Sequence, residues 1–137
     1  MIKATASFPI FIVENLPAAL DFYTSHLDFS PVFDTDWYIH LVSSTGIQVG
    51  FMVPNHPSQP ERLHRCYSGD GAVFSLEVDD ADEAYAFAKS KGLTIVEDVK
   101  TEEWGQRHFI LSDPNRVIID IVQNTQPSEE YQDDYVS

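Results

Sequence analysis

Five histidines (His26, His40, His56, His64 and His108) and one cysteine, Cys66, supply every imidazole and thiol of a 137-residue chain. A transition-metal site needs about three converging protein ligands. His64-Arg65-Cys66 matches no ligand spacing and reads as exposed loop. There is no nucleophile elbow, phosphate-binding glycine loop or Cys-x-x-Cys pair. The remaining chemistry is that of binding. Trp37 and Trp104, the only tryptophans, each precede an apolar strand instead of sitting in a helical stripe, where an indole can lie against a planar ligand or cover a sheet end. Glu77 and Asp120 are single acids within apolar strands, and in an apolar site they favour a cationic ligand. His40 and His108 fall on comparable strands and read most plainly as partly buried polar residues, with His26 on a helix surface.

The elements that must position these residues follow from periodicity. Ser7 to Val13 is an apolar run ended by Glu14-Asn15, and it predicts a buried strand. Asn15 caps a helix with Pro17 in its first turn and a buried stripe of Leu16, Leu20, Tyr23 and Leu27. Strands are expected around Pro31 to Asp34, Trp37 to Val42 and Ile47 to Val53. The proline-rich segment 54–71 is a linker. A second series follows: strand Ala72 to Val78, a helix capped by Asp80 with Glu83 three residues on and ended by Gly92, then strands near Thr94 to Val99, Arg107 to Leu111 and Val117 to Val122. Both halves read β-α-β-β-β. An offset of about 65 residues carries Val13 onto Val78, Phe22 onto Phe87 and Phe8 onto Val73, as expected of two copies of one unit. The modules span about 5–53 and 72–124 of a single domain, 1–124. Residues 125–137, which hold Glu129, Glu130, Asp133 and Asp134 but no Lys or Arg, are expected to form a flexible acidic tail.

Composition narrows the partners. With 22 acidic and 8 basic residues the formal charge is −14, which repels phosphate backbones and anionic lipid, so no nucleic acid and no membrane partner is expected. A single cysteine, and the lack of any apolar run near membrane-span length or of a signal-peptide pattern, lead to a cytoplasmic expectation.

Three segments carry a family resemblance: Asn15-Leu16-Pro17-Ala18-Ala19-Leu20-Asp21-Phe22-Tyr23, Val78-Asp79-Asp80-Ala81, and Asp113-Pro114-Asn115 before the last strand. Together, over roughly residues 5 to 124, they resemble the vicinal oxygen chelate superfamily of glyoxalase I, extradiol dioxygenases and bleomycin-resistance proteins. Glu103-Trp104-Gly105 followed by Asp113-Pro114-Asn115 is most similar to the bleomycin-resistance branch. One departure is Arg116, where relatives usually carry Gly, so Asn115 is expected to supply any left-handed turn residue.

The resemblance implies an α+β fold in which two β-α-β-β-β modules form a curled, cup-like mixed sheet with the helices outside. If Phe11 and Val13 pack under the first helix, alternation turns Phe8, Ile10 and Ile12 towards the cup, with Gln48, Gly50 and Met52, Val73, Ser75 and Glu77, and Ile118, Asp120 and Val122. Metal-dependent members, by resemblance, place His or Glu at positions that here hold Phe8, Gln48 or Gly50, Val73 and Asp120. No metal and no cofactor is therefore expected. The resulting expectation is a metal-free homodimer that sequesters a small aromatic compound, cationic where Glu77 and Asp120 face it. Its binding candidates are Trp104, Trp37, Tyr38, Phe8, Gln48, Ser75, Glu77, Asp120, His40 and His108. The alternatives are a metal-dependent lyase, isomerase or dioxygenase using Asp120 with His40 or His108, and a structural or regulatory dimer.

Overall fold

The computed structural model describes residues 1–136. Two compact units form, one of Met1–Asp70 with Pro114–Arg116, the other of Gly71–Asp113 with the chain from Val117 onward. The fold is α+β, with one four-stranded mixed sheet in each unit.

The first unit runs β1 (Ile10–Ile12), α1 (Leu16–His26), β2 (Phe29–Asp34), β3 (Tyr38–Ser43) and β4 (Gln48–Met52). Its sheet has the order β1-β4-β3-β2, parallel between β1 and β4 and otherwise antiparallel. β1 is shorter than the apolar run suggests because Pro9 has no N–H to give a ladder, although its carbonyl still accepts from Gly50 N at 2.9 Å. The Asn15 side chain accepts from Ala18 N at 3.0 Å and so starts α1. The buried face of α1 is Leu16, Ala19, Phe22 and Tyr23, with Leu20 and Leu27 only half-buried. The stripe is thus rotated from the leucine spacing, because the two aromatic rings fill the space against the sheet. Tyr23 is fully buried and lies 4.8 Å from the Phe51 ring. Phe11, Val13, Ile39, Leu41, Val49 and Phe51 complete this core, each burial contributing about 1.5–3 kcal/mol.

The second unit repeats the order as β5 (Phe74–Glu77), α2 (Ala81–Ser90), β6 (Thr94–Glu102), β7 (Gln106–Ser112) and β8 (Ile118–Asn124), with sheet order β5-β8-β7-β6. Asp80 caps α2 through Glu83 N at 3.0 Å, and Gly92, at φ +67°, follows the helix end. Phe74, Leu76, Phe109, Leu111, Ile119 and Ile121 are its core. Phe87, the repeat counterpart of buried Phe22, is exposed, and α2 buries the smaller Ala81 and Ala88 instead. β6 continues three residues past Val99 through register shifts that sequence alternation does not reveal.

Two turns differ from expectation. Arg116, not Asn115, is left-handed, at φ +68°. Asn115 instead exchanges two hydrogen bonds with the backbone of Asn15: its Oδ1 accepts from Asn15 N at 3.1 Å and its Nδ2 donates to Asn15 O at 3.0 Å. That task fixes the amide and leaves the strained conformation to the next residue. The acidic C-terminal segment contains a short helix, α3 (Glu129–Gln132), and its backbone bonds the β6–β7 turn through Thr125 N to Gly105 O and Ser128 N to Glu103 O, both 2.8 Å. Among the described residues no helix is long and apolar enough to cross a membrane.

Candidate functional site

On β1, alternation buries Phe11 and Val13 and leaves Phe8 and Ile10 on the opposite face, 44% and 46% exposed. Sheet register places Ile10 beside Gly50, Gly50 beside His40 and His40 beside Phe33, which is 50% exposed. This face, away from α1, is rich in exposed aromatic and aliphatic surface. Its polar centre is a chain of side chains: Tyr38 Oη to His40 Nδ1 at 2.7 Å, then His40 Nε2 to Gln48 Oε1 at 2.8 Å. Phe8 meets the His40 ring edge-on with centroids 4.6 Å apart, and Phe33 lies 6.1 Å from Tyr38. Burial holds the Tyr38 phenol above its ordinary pKa.

Gly50 makes room for this arrangement. A Cβ there would meet the Tyr38 hydroxyl, with Cζ at 2.9 Å and Cε1 at 3.0 Å. The Tyr38 ring therefore lies directly over the backbone of β4, a close approach that glycine permits. Trp37 is half-buried and stacks on His56 of the linker, 4.0 Å between centroids and 15° between planes, so one face of this indole is already covered.

The second unit holds a differently charged arrangement on the equivalent face. His108 is 7% exposed; Nδ1 lies 2.7 Å from Asp120 Oδ1 and Nε2 lies 3.0 Å from Glu102 Oε2. Burial works against the imidazolium, but the hydrogen bonds to Glu102 and Asp120 and the attraction of both carboxylates outweigh it, so the pKa of His108 is raised. Glu102 is correspondingly lowered by its bond to His108, with Lys100 assisting 3.5 Å away. Glu102 is missing from the sequence-derived candidates because the strand reading stopped at Val99. Ser75 and Glu77 are exposed on β5, in register with Asp120 and Val122.

Trp104 sits in the β6–β7 turn, 41% exposed, with Nε1 donating to Gln106 Oε1 at 2.9 Å. Tyr131 of α3 lies edge-on to it at 6.4 Å and the Tyr135 hydroxyl donates to its carbonyl. Beneath this turn is a cavity of about 320 Å³ lined by residues that include Gly105, Pro127, Gln132 and Tyr135. The structure thus gathers Phe8, Tyr38, His40 and Gln48 in one place and His108 with Asp120 in another, while Trp37 and Trp104 belong to separate units. Cys66 is a poor nucleophile, since burial and then the nearby Glu14 push its thiol up against the opposing pull of Arg116.

The repeated β-α-β-β-β unit, with each sheet left open, matches a known superfamily. The sequence profile of the Glyoxalase/Bleomycin resistance protein/Dioxygenase superfamily matches residues 5–121. The chain belongs to this superfamily. Among solved structures, a superfamily member from Sphaerobacter thermophilus is 28% identical, with 90% of this chain and 100% of that chain covered at a TM-score of 0.72. A glyoxalase/bleomycin resistance protein/dioxygenase from Nocardioides is 14% identical, covering 92% and 87% at a TM-score of 0.77. A glyoxalase-related enzyme from Fulvimarina pelagi is 15% identical, covering 88% of each chain at 0.70. The last two share the fold. No curated protein matches the chain.

The positions that the resemblance assigns to metal donors hold Phe8, Gln48 or Gly50, Val73 and Asp120. Phe8, Gly50 and Val73 carry no side-chain donor, and the polar groups Gln48 and Asp120 are each bonded to a histidine. Glu102 and Asp120 lie off different ring nitrogens of His108. Among the described residues no group of three or more His, Cys, Asp and Glu is placed to hold a metal ion.

Proposed function

We propose that the protein binds and sequesters a small planar aromatic molecule, without a metal, on the face of the first sheet opposite α1. The observation that carries this reading is the exposure of Phe8, Ile10 and Phe33 around the Tyr38–His40–Gln48 chain. Exposed apolar surface with a few convergent polar groups is the usual make-up of a ligand site. The charge of −14 favours a cationic aromatic compound and speeds its arrival. The protein acts as a two-fold homodimer in this proposal, since the edge strands β1 and β2 of one sheet and β5 and β6 of the other are each paired on one side only within their sheets. The test is a fluorescence titration with bleomycin and simpler aromatic cations at two ionic strengths. Wild type binds with an association rate that falls as salt rises, and Phe8→Ala weakens affinity about five-fold, the equivalent of roughly 1 kcal/mol of ring contact. Absence of binding below millimolar, or unchanged affinity in a folded Phe8→Ala variant, refutes the proposal.

The 41% exposure of Trp104 favours a second location, with its indole as one wall of the ligand slot. In that case Trp104→Ala weakens binding and Phe8→Ala does not.

A further inference from the structure

We infer that the Tyr38 hydroxyl serves this face as a hydrogen-bond acceptor, and that the aromatic molecule selected there carries an O–H or N–H donor. The inference rests on the binding proposal above and adds the polarity of the ligand.

The polarity of the chain is set at Gln48. Its Oε1 lies 2.8 Å from His40 Nε2, and a carbonyl oxygen only accepts, so Nε2 carries the imidazole proton. A neutral imidazole has one N–H, so Nδ1 presents its lone pair. The Tyr38 hydroxyl, 2.7 Å away, then donates to Nδ1. The chain runs one way: Tyr38 donates to His40, which donates to Gln48. The single proton of Tyr38 is committed, and only acceptor lone pairs remain on Oη. Burial, by raising the phenol pKa, keeps that proton in place. The ring cannot easily turn its hydroxyl elsewhere, because it is laid over Gly50 with Phe33 and Trp37 beside it, 6.1 and 5.8 Å between centroids. A ligand donor satisfies Oη among apolar walls, whereas a ligand with acceptors alone sets lone pair against lone pair and leaves both unsatisfied.

The second unit shows what reverses this polarity. His108 has Asp120 where His40 has Gln48, on the same diagonal of the equivalent strand pair, though through Nδ1 where His40 uses Nε2: each histidine bonds the residue two places before its own register partner, Gly50 for His40 and Val122 for His108. A carboxylate there favours the imidazolium, in which both ring nitrogens donate. In Gln48→Glu, whenever the His40 ring carries both protons, Nδ1–H donates to Tyr38 Oη and the tyrosine proton is free for the ligand.

The experiment uses two probes of matched shape, 2-naphthol as donor and 2-methoxynaphthalene as acceptor only, titrated at about pH 8, where an ordinary imidazole is neutral. Nitrogen-15 NMR of the full chain reads the His40 tautomer. Wild type is expected to bind the naphthol about ten-fold more tightly and to show the Nε2–H tautomer. Tyr38→Phe reduces the preference below two-fold, and lowering the pH through the imidazole range diminishes the preference more in Gln48→Glu than in wild type. Equal affinity for the two probes, a preference that survives Tyr38→Phe, or an Nδ1–H tautomer overturns the inference while leaving aromatic binding standing. If neither probe binds wild type below millimolar, both the inference and the binding proposal fall.

Discussion

Replacing Arg116 with glycine should stabilise the protein. Arg116 has φ +68°, where Cβ crowds the following carbonyl and a non-glycine residue loses roughly 1–2 kcal/mol. Glycine removes that strain but gains freedom in the unfolded chain, which costs about 0.5–1 kcal/mol. The expected net gain is about 0.5–1 kcal/mol, or about 2–4 °C in melting temperature for a chain of this size. Asn115→Gly is the matched control. Asn115 is not left-handed, and its amide makes two hydrogen bonds to Asn15 at 3.1 and 3.0 Å, so its removal should cost about 1–2 kcal/mol. Urea unfolding of wild type and both variants, with unchanged m-values, measures the two differences. A stabilising Asn115→Gly together with a neutral or destabilising Arg116→Gly refutes the assignment and returns the left-handed position to Asn115.

Three further outcomes follow from the same structure. The folded pKa of His108 lies above its ordinary 6.5, so its contribution to stability is complete below 6.5 and is lost as pH rises through the folded value. Glu102 lies below its ordinary 4.5, so its contribution is complete above 4.5 and is lost as pH falls through its folded value. Stability from this pair is therefore greatest between about 4.5 and 6.5, and a His108→Gln variant should show a flatter stability profile above pH 6; an unchanged slope contradicts the ion pairing. Purified protein is expected to carry far less than one equivalent of Zn, Ni, Mn or Fe, with a melting temperature indifferent to EDTA; stoichiometric metal on residues of either sheet would oppose the donor-set argument. Light scattering at micromolar concentration should give a dimer, and a monomeric mass would refute the edge-covering assembly.

Much of the fold was legible because local signals and alternation agreed. Asn15 and Asp80 do cap helices, and the parity that sets Phe11 and Val13 against Phe8 and Ile10 is that of the structure. The β3 and β7 positions of His40 and His108 were legible too, since each lies in an apolar run of strand length. What escaped detection depends on geometry that periodicity does not encode. Glu102 reaches His108 only because β6 shifts register twice between Ile95 and Lys100. The Trp37–His56 stack joins a strand end to a linker whose course no pattern specifies. Gly50 did leave a signal, since glycine inside a strand often marks a close approach, but nothing in the sequence names Tyr38 as the group that approaches.

The paired histidines also weigh one unit against the other as the seat of function. A duplicated backbone sets His40 and His108 at equivalent points, and the difference of an amide from a carboxylate decides what each can do. Around His108 the ring is matched by Glu102 and Asp120 on its two sides, and Lys100 bridges Glu97 at 2.8 Å and Glu102 at 3.5 Å. That network, with His108 buried and Lys100 and Glu97 half-exposed, is satisfied within its own sheet, and a satisfied network chiefly specifies the fold. Around His40 the partners are neutral, with exposed Phe8 against the imidazole and exposed Phe33 beside the Tyr38 ring. An oxygen with unshared lone pairs among exposed rings has more to gain from a ligand than a histidine already held by two carboxylates. The proposed recognition therefore falls to the first unit and the ionic scaffold to the second.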